Sequence, residues 1–412
     1  MNILHMVHAY TPSVGGSQVL IQRVSEALVQ QYGHQVSVLT STAQTIEHFT
    51  DPRMPGLLPG EEEINRVSVR RLAVQNRLGP AWRILAGVAY RLHLPGNDWL
   101  RTAENGPWLR GLAQAIRVSQ ADVVLAATFP LKHMYDTLAA TRRIGKPIVL
   151  LGALHLADKW GYDRPMIYRA IRAADAYIAL SGHERDVLVD QHHVPSERVH
   201  VIGGGVDLAE FATANGNIAR QRHALGPGPI ILSLGKHSER KRFDLLLAAM
   251  PSVWREFPTA QLVIAGAQTQ HTAQLRQLAH VHATGNIHVL ADLSNSERAD
   301  LLAACDVFAL ASGDESFGIV FAEAWANYKP VIGARRGAIS SIITDGQDGL
   351  LFDFPSPHDL AQRLLQLLRD TPLAQRLGQA GHANVLRQYT WPKIAQQYHA
   401  LYTNLTKLNR AS

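Results

Sequence analysis

Two hydrophobic periods alternate along this chain. Short, nearly continuous apolar runs at residues 3–8, 35–40, 122–127, 147–151, 176–181 and 199–202 are separated by stretches with helical spacing. The first such stretch, residues 18–32, sets Leu20, Val24, Ala27 and Leu28 on one face and closes at Gly33. An apolar run without alternation is what a strand covered on both faces requires, and intervening helices supply the cover. This pattern predicts a doubly wound, Rossmann-like α/β domain. Residues 211–229, with Asn215-Gly216-Asn217 and Gly226-Pro227-Gly228-Pro229, interrupt it, and it restarts in runs at 230–235, 261–266, 287–290 and 307–310. We therefore expect an N-terminal domain over 1–212, a second doubly wound domain over 213–388, and a terminal helix over 389–412 that braces the first. Residues 42–60, rich in Pro and Gly, read as loop.

Composition narrows the class. A chain of 412 residues exceeds what one core usually serves, and 46% hydrophobic with 18% charged residues is ordinary for a soluble globular protein. The single cysteine, Cys305, excludes an internal disulfide and a cysteine-based zinc site, and fits a reducing compartment. Residues 1–10 read as a first strand and not a signal peptide, and no apolar run approaches the ~20 residues that span a bilayer. The expected location is cytoplasmic, or peripheral at the inner membrane face. The formal charge of +6 is unevenly placed: residues 64–117 hold nine arginines against Asp98 and Glu104, with Trp82, Tyr90, Trp99 and Trp108 between them. Two readings stay open. The segment is a pair of amphipathic helices with tryptophans in the core, or it lies on an anionic membrane surface. No nucleic-acid motif accompanies the charge, so nucleic acid is not an expected partner.

The candidate chemistry gathers at predicted strand ends, where open α/β sheets bind ligands. Glu315 and Glu323 lie eight residues apart around Ser316-Phe317-Gly318, following the strand at 307–310. A helix starting near Ser316 would aim its first amides and the positive end of its dipole outward. Lys236, Lys241 and Arg242 follow the strand at 230–235; Gly15 and Gly16 follow the first strand, and His155 the fourth. Cations with helix-start amides suit a diphosphate, and carboxylates suit sugar hydroxyls. Two such domains facing each other would bring these groups to an interdomain cleft. No D-x-D stands at a strand end and the histidines, His192 and His193 included, lack metal-ligand spacing. A metal-free site with no cofactor is expected.

These residues resemble the retaining GT-B glycosyltransferases of glycosyltransferase family 4, the group 1 glycosyltransferases. The most specific element is the Glu-x7-Glu segment Glu315 to Glu323. Pro12 to Gly16, Gly33-His34-Gln35-Val36, His155, Gly205-Val206-Asp207, Gly235 to Lys241 and Gly349 to Phe352 support it in order. The resemblance covers nearly the whole chain and implies transfer of a sugar from a nucleotide-sugar donor to the hydroxyl of a sugar or lipid-linked acceptor, with anomeric configuration kept. It implies that Glu315 holds the donor sugar's hydroxyls and Glu323 the ribose. Lys236 with Lys241 or Arg242 would stabilise the leaving diphosphate, Gly16 would admit the phosphate to the loop backbone, and His155 would hydrogen-bond the donor sugar. Lys236 stands where the family has Arg, Gly204 where Asn is typical, Asn327-Tyr328 where a small residue and Gly are common, and Ser341 where Glu is frequent. A nucleotide-sugar epimerase and a catalytically degenerate sugar-nucleotide binding protein are the alternatives.

Overall fold

Apolar runs with both faces covered become interior strands. The computed structural model describes residues 1–13, 15–51, 53–76, 79–281 and 285–411, without the side chains of Pro80, Arg410 and Ala411. Val14 of the glycine loop, Arg77 of the basic segment and Ser412 of the terminal helix lie outside the described residues. The chain divides into two units, Met1–Gly203 with Trp391–Ser412, and Gly204–Thr390.

In the first unit, β1 (Asn2–Val7), β2 (Gln35–Ser41), β3 (Gly60–Ile64), β4 (Val67–Leu72), β5 (Val123–Ala127), β6 (Ile148–Leu151), β7 (Ala176–Ala179) and β8 (Val199–Val201) form one sheet. Its order is β3-β4-β2-β1-β5-β6-β7-β8. Only β3 against β4 is antiparallel, with Glu61 opposite Arg70 and Glu62 opposite Val69. Strands β5, β6 and β7 are buried at every position, as covered parallel strands should be. The helix Gly16–Tyr32 ends at Gly33 in the left-handed region (φ 63°), whose amide bonds the Val29 carbonyl while that of His34 bonds Leu28. The terminal helix Trp391–Ala411 packs on it. Tyr402 of that helix is buried, its hydroxyl 3.0 Å from His5 Nε2 on β1.

In the second unit, β9 (Ile230–Leu234), β10 (Gln261–Gly266), β11 (Ile287–Ala291), β12 (Val307–Leu310), β13 (Val331–Ala334) and β14 (Leu350–Phe352) run parallel in the order β11-β10-β9-β12-β13-β14. Among the parallel strands, the order reverses between β1 and β5 in the first unit and between β9 and β12 in the second. Loops leaving such a reversal diverge and leave a crevice at the carboxyl ends of the strands.

The division between units lies at Gly203, earlier than the boundary expected after residue 212. The segment after it belongs to the second unit by packing: a Cβ on Gly204 would stand 3.1 Å from Ile319 and 3.4 Å from Phe317, and the helix Ala209–Ala212 packs on the helix Asn295–Ala304.

Candidate functional site

The second unit gathers the charged candidates at its strand-order reversal. After β9 the chain makes a tight turn over Glu239–Lys241, passes Arg242 in the left-handed region (φ 52°), and enters the helix Phe243–Glu256. After β12 it runs through Ser312 to Phe317 and begins a helix, Ile319–Ala326. Ser312 is fully buried and ties the two loops, its hydroxyl 3.3 Å from the Arg240 carbonyl.

That tie sets Lys241 against Glu315. The ammonium donates to Oε1 at 2.5 Å, with the two side chains 12% and 9% exposed. The lysine stem reaches across Gly235, where a Cβ would stand 3.0 Å from Cε, so a glycine at the end of β9 gives the stem its path. A pair so little exposed is poorly screened, and each charge needs the other. One of the three ammonium donors is used; the rest, with Oε2, remain for a ligand.

The helix start is displaced from the expected position near Ser316. Gly318 adopts φ 84°, in the left-handed region, and ends the turn, so helical geometry begins only at Ile319. This N-terminus has no side-chain cap and no acid in its first turn, which leaves its positive end uncompensated. Phe317 points inward, buried and edge-on to Tyr389 with ring centroids 5.5 Å apart. Ser316 is half-buried.

Glu323 lies in the second turn of that helix and meets a partner the sequence did not single out. Arg298, on the helix Asn295–Ala304, donates Nη2–H to Glu323 Oε2 at 2.5 Å. The carboxylate holds the Arg298 guanidinium above its ordinary value. Arg298 lies on that helix with Ser296 and Glu297 beside it in sequence, and only the fold brings it to Glu323. Arg242 forks onto Asp244, Nε to Oδ1 at 2.9 Å and Nη2 to Oδ2 at 2.8 Å. Lys241 is thus the basic residue of its turn that faces Glu315, and Lys236 is exposed beside it in sequence.

The first unit carries the remaining candidates, Gly15, Gly16 and His155. Gly15 is extended (φ 179°) and caps the helix that starts at Gly16. A Cβ on Gly16 would meet nothing within 4 Å, so the chain's own packing does not demand glycine there. The loop before it is anchored by Arg71 of β4, which donates Nη2–H to the Thr11 carbonyl at 2.6 Å and Nε–H to Glu62 at 2.6 Å. His155 follows β6, half-buried and edge-on to Tyr162 at 5.7 Å.

The loop that carries His155 hangs on a buried acid, Glu184. Its Oε1 accepts from Tyr177 O–H at 2.5 Å and Leu154 N–H at 3.3 Å, and its Oε2 from Leu180 N–H at 2.9 Å. Burial pushes its carboxyl up to about 7, against the pull of these three donors. Gly152 is required here, since a Cβ would stand 1.7 Å from the Tyr177 hydroxyl. The sequence held a signal for Glu184 in Ser181-Gly182-His183-Glu184, the spacing of a capping box. Ser181 does cap the helix Gly182–Asp186, accepting from Glu184 N–H, while the acid turns to the neighbouring strand ends.

Comparison with known proteins decides the family. Residues 217–383 match the model of the group 1 glycosyl transferases, and residues 14–210 that of Glycosyltransferase Family 4. An alpha-maltose-1-phosphate synthase of Mycolicibacterium smegmatis is 30% identical over 346 residues, 75% of this chain and 88% of that protein. The chain belongs to glycosyltransferase family 4. A D-inositol 3-phosphate glycosyltransferase of Xylanimonas cellulosilytica is 27% identical over 412 residues, 96% of this chain and 93% of its own. Among solved structures, the Anabaena protein HepE in complex with UDP and glucose superposes with a TM-score of 0.71 at 16% identity, covering 98% of this chain and 99% of its own. The two parallel α/β units are those of the GT-B fold. The protein is a glycosyltransferase of group 1, and the epimerase reading loses its support.

Proposed function

We propose that this family 4 glycosyltransferase moves a sugar from a nucleotide-sugar donor to an acceptor hydroxyl, retaining anomeric configuration and using no metal. The observation that carries this reading is the Lys241–Glu315 pair beside the uncapped helix start at Ile319. Glu315 Oε2 accepts from hydroxyls of the transferred sugar, while the free donors of Lys241, the first-turn amides and Lys236 meet the diphosphate. As the bond from the anomeric carbon to phosphate oxygen breaks, negative charge grows on the departing diphosphate and positive charge on the sugar. Groups already fixed around both stabilise that state more than the bound donor. The acceptor oxygen attacks from the face the phosphate leaves, its proton passes to the departing phosphate, and configuration is kept. Glu323, oriented by Arg298, accepts from the ribose hydroxyls. In the first unit, open space before Gly16 admits a phosphate, and His155 hydrogen-bonds the donor sugar. Arg242, forked onto Asp244, takes a supporting place in the phosphate loop. Likeness to an inositol phosphate glycosyltransferase and a maltose-1-phosphate synthase supports a phosphorylated polyol or sugar as acceptor. HepE with bound UDP makes UDP-sugars the first donors to try.

The test is donor turnover. Once a UDP-, GDP- or ADP-sugar that raises the thermal midpoint is found, Lys241→Ala and Glu315→Ala should each lower kcat about 10²–10³-fold, as loss of one charge-stabilising group does, while circular dichroism stays unchanged. Full turnover in both variants overturns the assignment, and loss of turnover in EDTA overturns the metal-free mechanism.

A further inference from the structure

In the basic segment Trp82, Tyr90 and Trp108 are half-buried against other rings. Trp82 stacks on Trp108 with centroids 5.9 Å apart and meets Trp99 edge-on at 5.6 Å. Tyr90 is edge-on to Trp160 at 4.5 Å, and the buried Arg101 guanidinium lies over both rings, at 4.7 and 5.4 Å. The helix Gly79–Arg91 therefore turns Trp82, Ala86, Ala89 and Tyr90 inward, against the helix Asn97–Asn105. This much is an ordinary buried face.

Its opposite face is apolar as well. Ile84, Val88 and Leu92 follow one another at four-residue steps with Leu85 alongside, and their exposures run from 49% at Val88 to 68% at Ile84. Leu94 just beyond the helix and Trp99 on the next are 44% and 45% exposed. Single exposed apolar residues need no explanation, but a continuous stripe marks an interaction surface. A helix apolar on both sides belongs where both sides are covered.

The charge around the stripe selects what covers it. Arg91 adjoins it on the helix and is exposed. The two acids of the segment are already faced by cations: Asp98 by Arg169 at 3.5 Å, Glu104 by Arg83 at 3.6 Å. A second copy of this chain seated on the stripe would present the same patch, setting arginine against arginine across a two-fold axis. An anionic lipid surface instead offers acyl chains to the stripe and phosphates to its cationic margin. No described helix is long and apolar enough to cross a membrane, so the contact lies in the plane of the interface.

We propose that the outward face of the helix Gly79–Arg91 docks this protein on an anionic membrane, with Ile84, Leu85, Val88 and Leu92 entering the headgroup boundary and Arg91 on lipid phosphates. None of these residues is among those assigned to the donor site. It refines the expectation from sequence: the aliphatic residues carry the insertion, while Trp82, Tyr90 and Trp108 pack against other rings.

Cosedimentation of the full chain with vesicles tests it without reading turnover. Vesicles of phosphatidylglycerol and phosphatidylcholine should bind about fivefold more protein than phosphatidylcholine alone, as one arginine at an anionic surface gives. Val88→Glu, at an exposed position, should weaken binding about tenfold or more by removing a buried apolar side chain, and Arg91→Glu should weaken it and flatten its salt dependence. Equal binding to neutral vesicles, or unchanged binding of Val88→Glu, overturns the proposal. So does a dimer in vesicle-free buffer that Val88→Glu turns into monomer, which would assign the stripe to a second copy.

Discussion

Two acids, each at strand ends, are handled in opposite ways. Glu315 faces a cation, Lys241, and keeps a small exposed edge of 9%; Glu184 is wholly buried, faces three neutral donors and no cation that the structure places in contact. An ion pair at the edge of solvent has donors and an oxygen to spare and can trade them to a ligand. A solitary buried acid with every near donor engaged has nothing to trade, and what it does is hold. The same residue type thus serves as a contact in one unit and as a tether in the other, and the counter-charge distinguishes them.

The comparison breaks most visibly on truncation. Glu184→Ala should cost about 3 kcal/mol of stability, since two backbone N–H groups and the Tyr177 hydroxyl lose their acceptor inside the protein. Urea unfolding followed on the first unit's aromatics measures it, and a loss below about 1 kcal/mol would show that Glu184 holds nothing. The charged pair sharpens the contrast through a double-mutant cycle. Lys241→Met alone strands a nearly buried carboxylate, and adding Glu315→Gln should recover about 1–3 kcal/mol of coupling. Purely additive effects would mean the pair is absent in solution.

The smallest effect is the pH dependence. The folded carboxyl of Glu184 sits at about 7, above the unfolded value of 4.5, so between these values the folded state keeps a proton that the unfolded chain has released. Stability from this group is therefore lost as pH rises from 4.5 to about 7 and is flat above. Glu184→Gln, which cannot titrate, should lack that slope, so thermal midpoints of wild type and variant should diverge upward through the window in favour of the variant. Parallel curves would place the carboxyl near its ordinary range, with the three donors outweighing burial.

What the sequence disclosed follows from which interactions are local. Strands β5, β6, β9, β10 and β12 were legible because both faces are covered, and cover writes itself as an unbroken apolar run. Strand β3 was not. Its Glu61, Glu62 and Glu63 are exposed along an antiparallel edge, where Glu62 meets Arg71 at 2.6 Å, and an acidic run reads as loop. The Glu315 to Glu323 segment was legible as a strand-to-helix turn and a candidate site, but its helix start was misplaced because the left-handed turn at Gly318 depends on backbone geometry. Arg298 and Ser312 act only through distant partners and leave no periodic trace. Glu184 did leave one, a capping-box spacing, but spacing could not tell that the acid would turn away from the cap.

The terminal helix carries one more consequence. Tyr402 meets His5 across 397 positions of sequence and Thr406 reaches Met1, while the second unit is one unbroken segment, Gly204–Thr390. During synthesis that segment can close on itself as soon as it clears the ribosome. The first strand was made long before, yet its sheet must wait with one helix missing. The unit begun first is the unit completed last, and its exposed apolar strands are what a chaperone would find on the nascent chain.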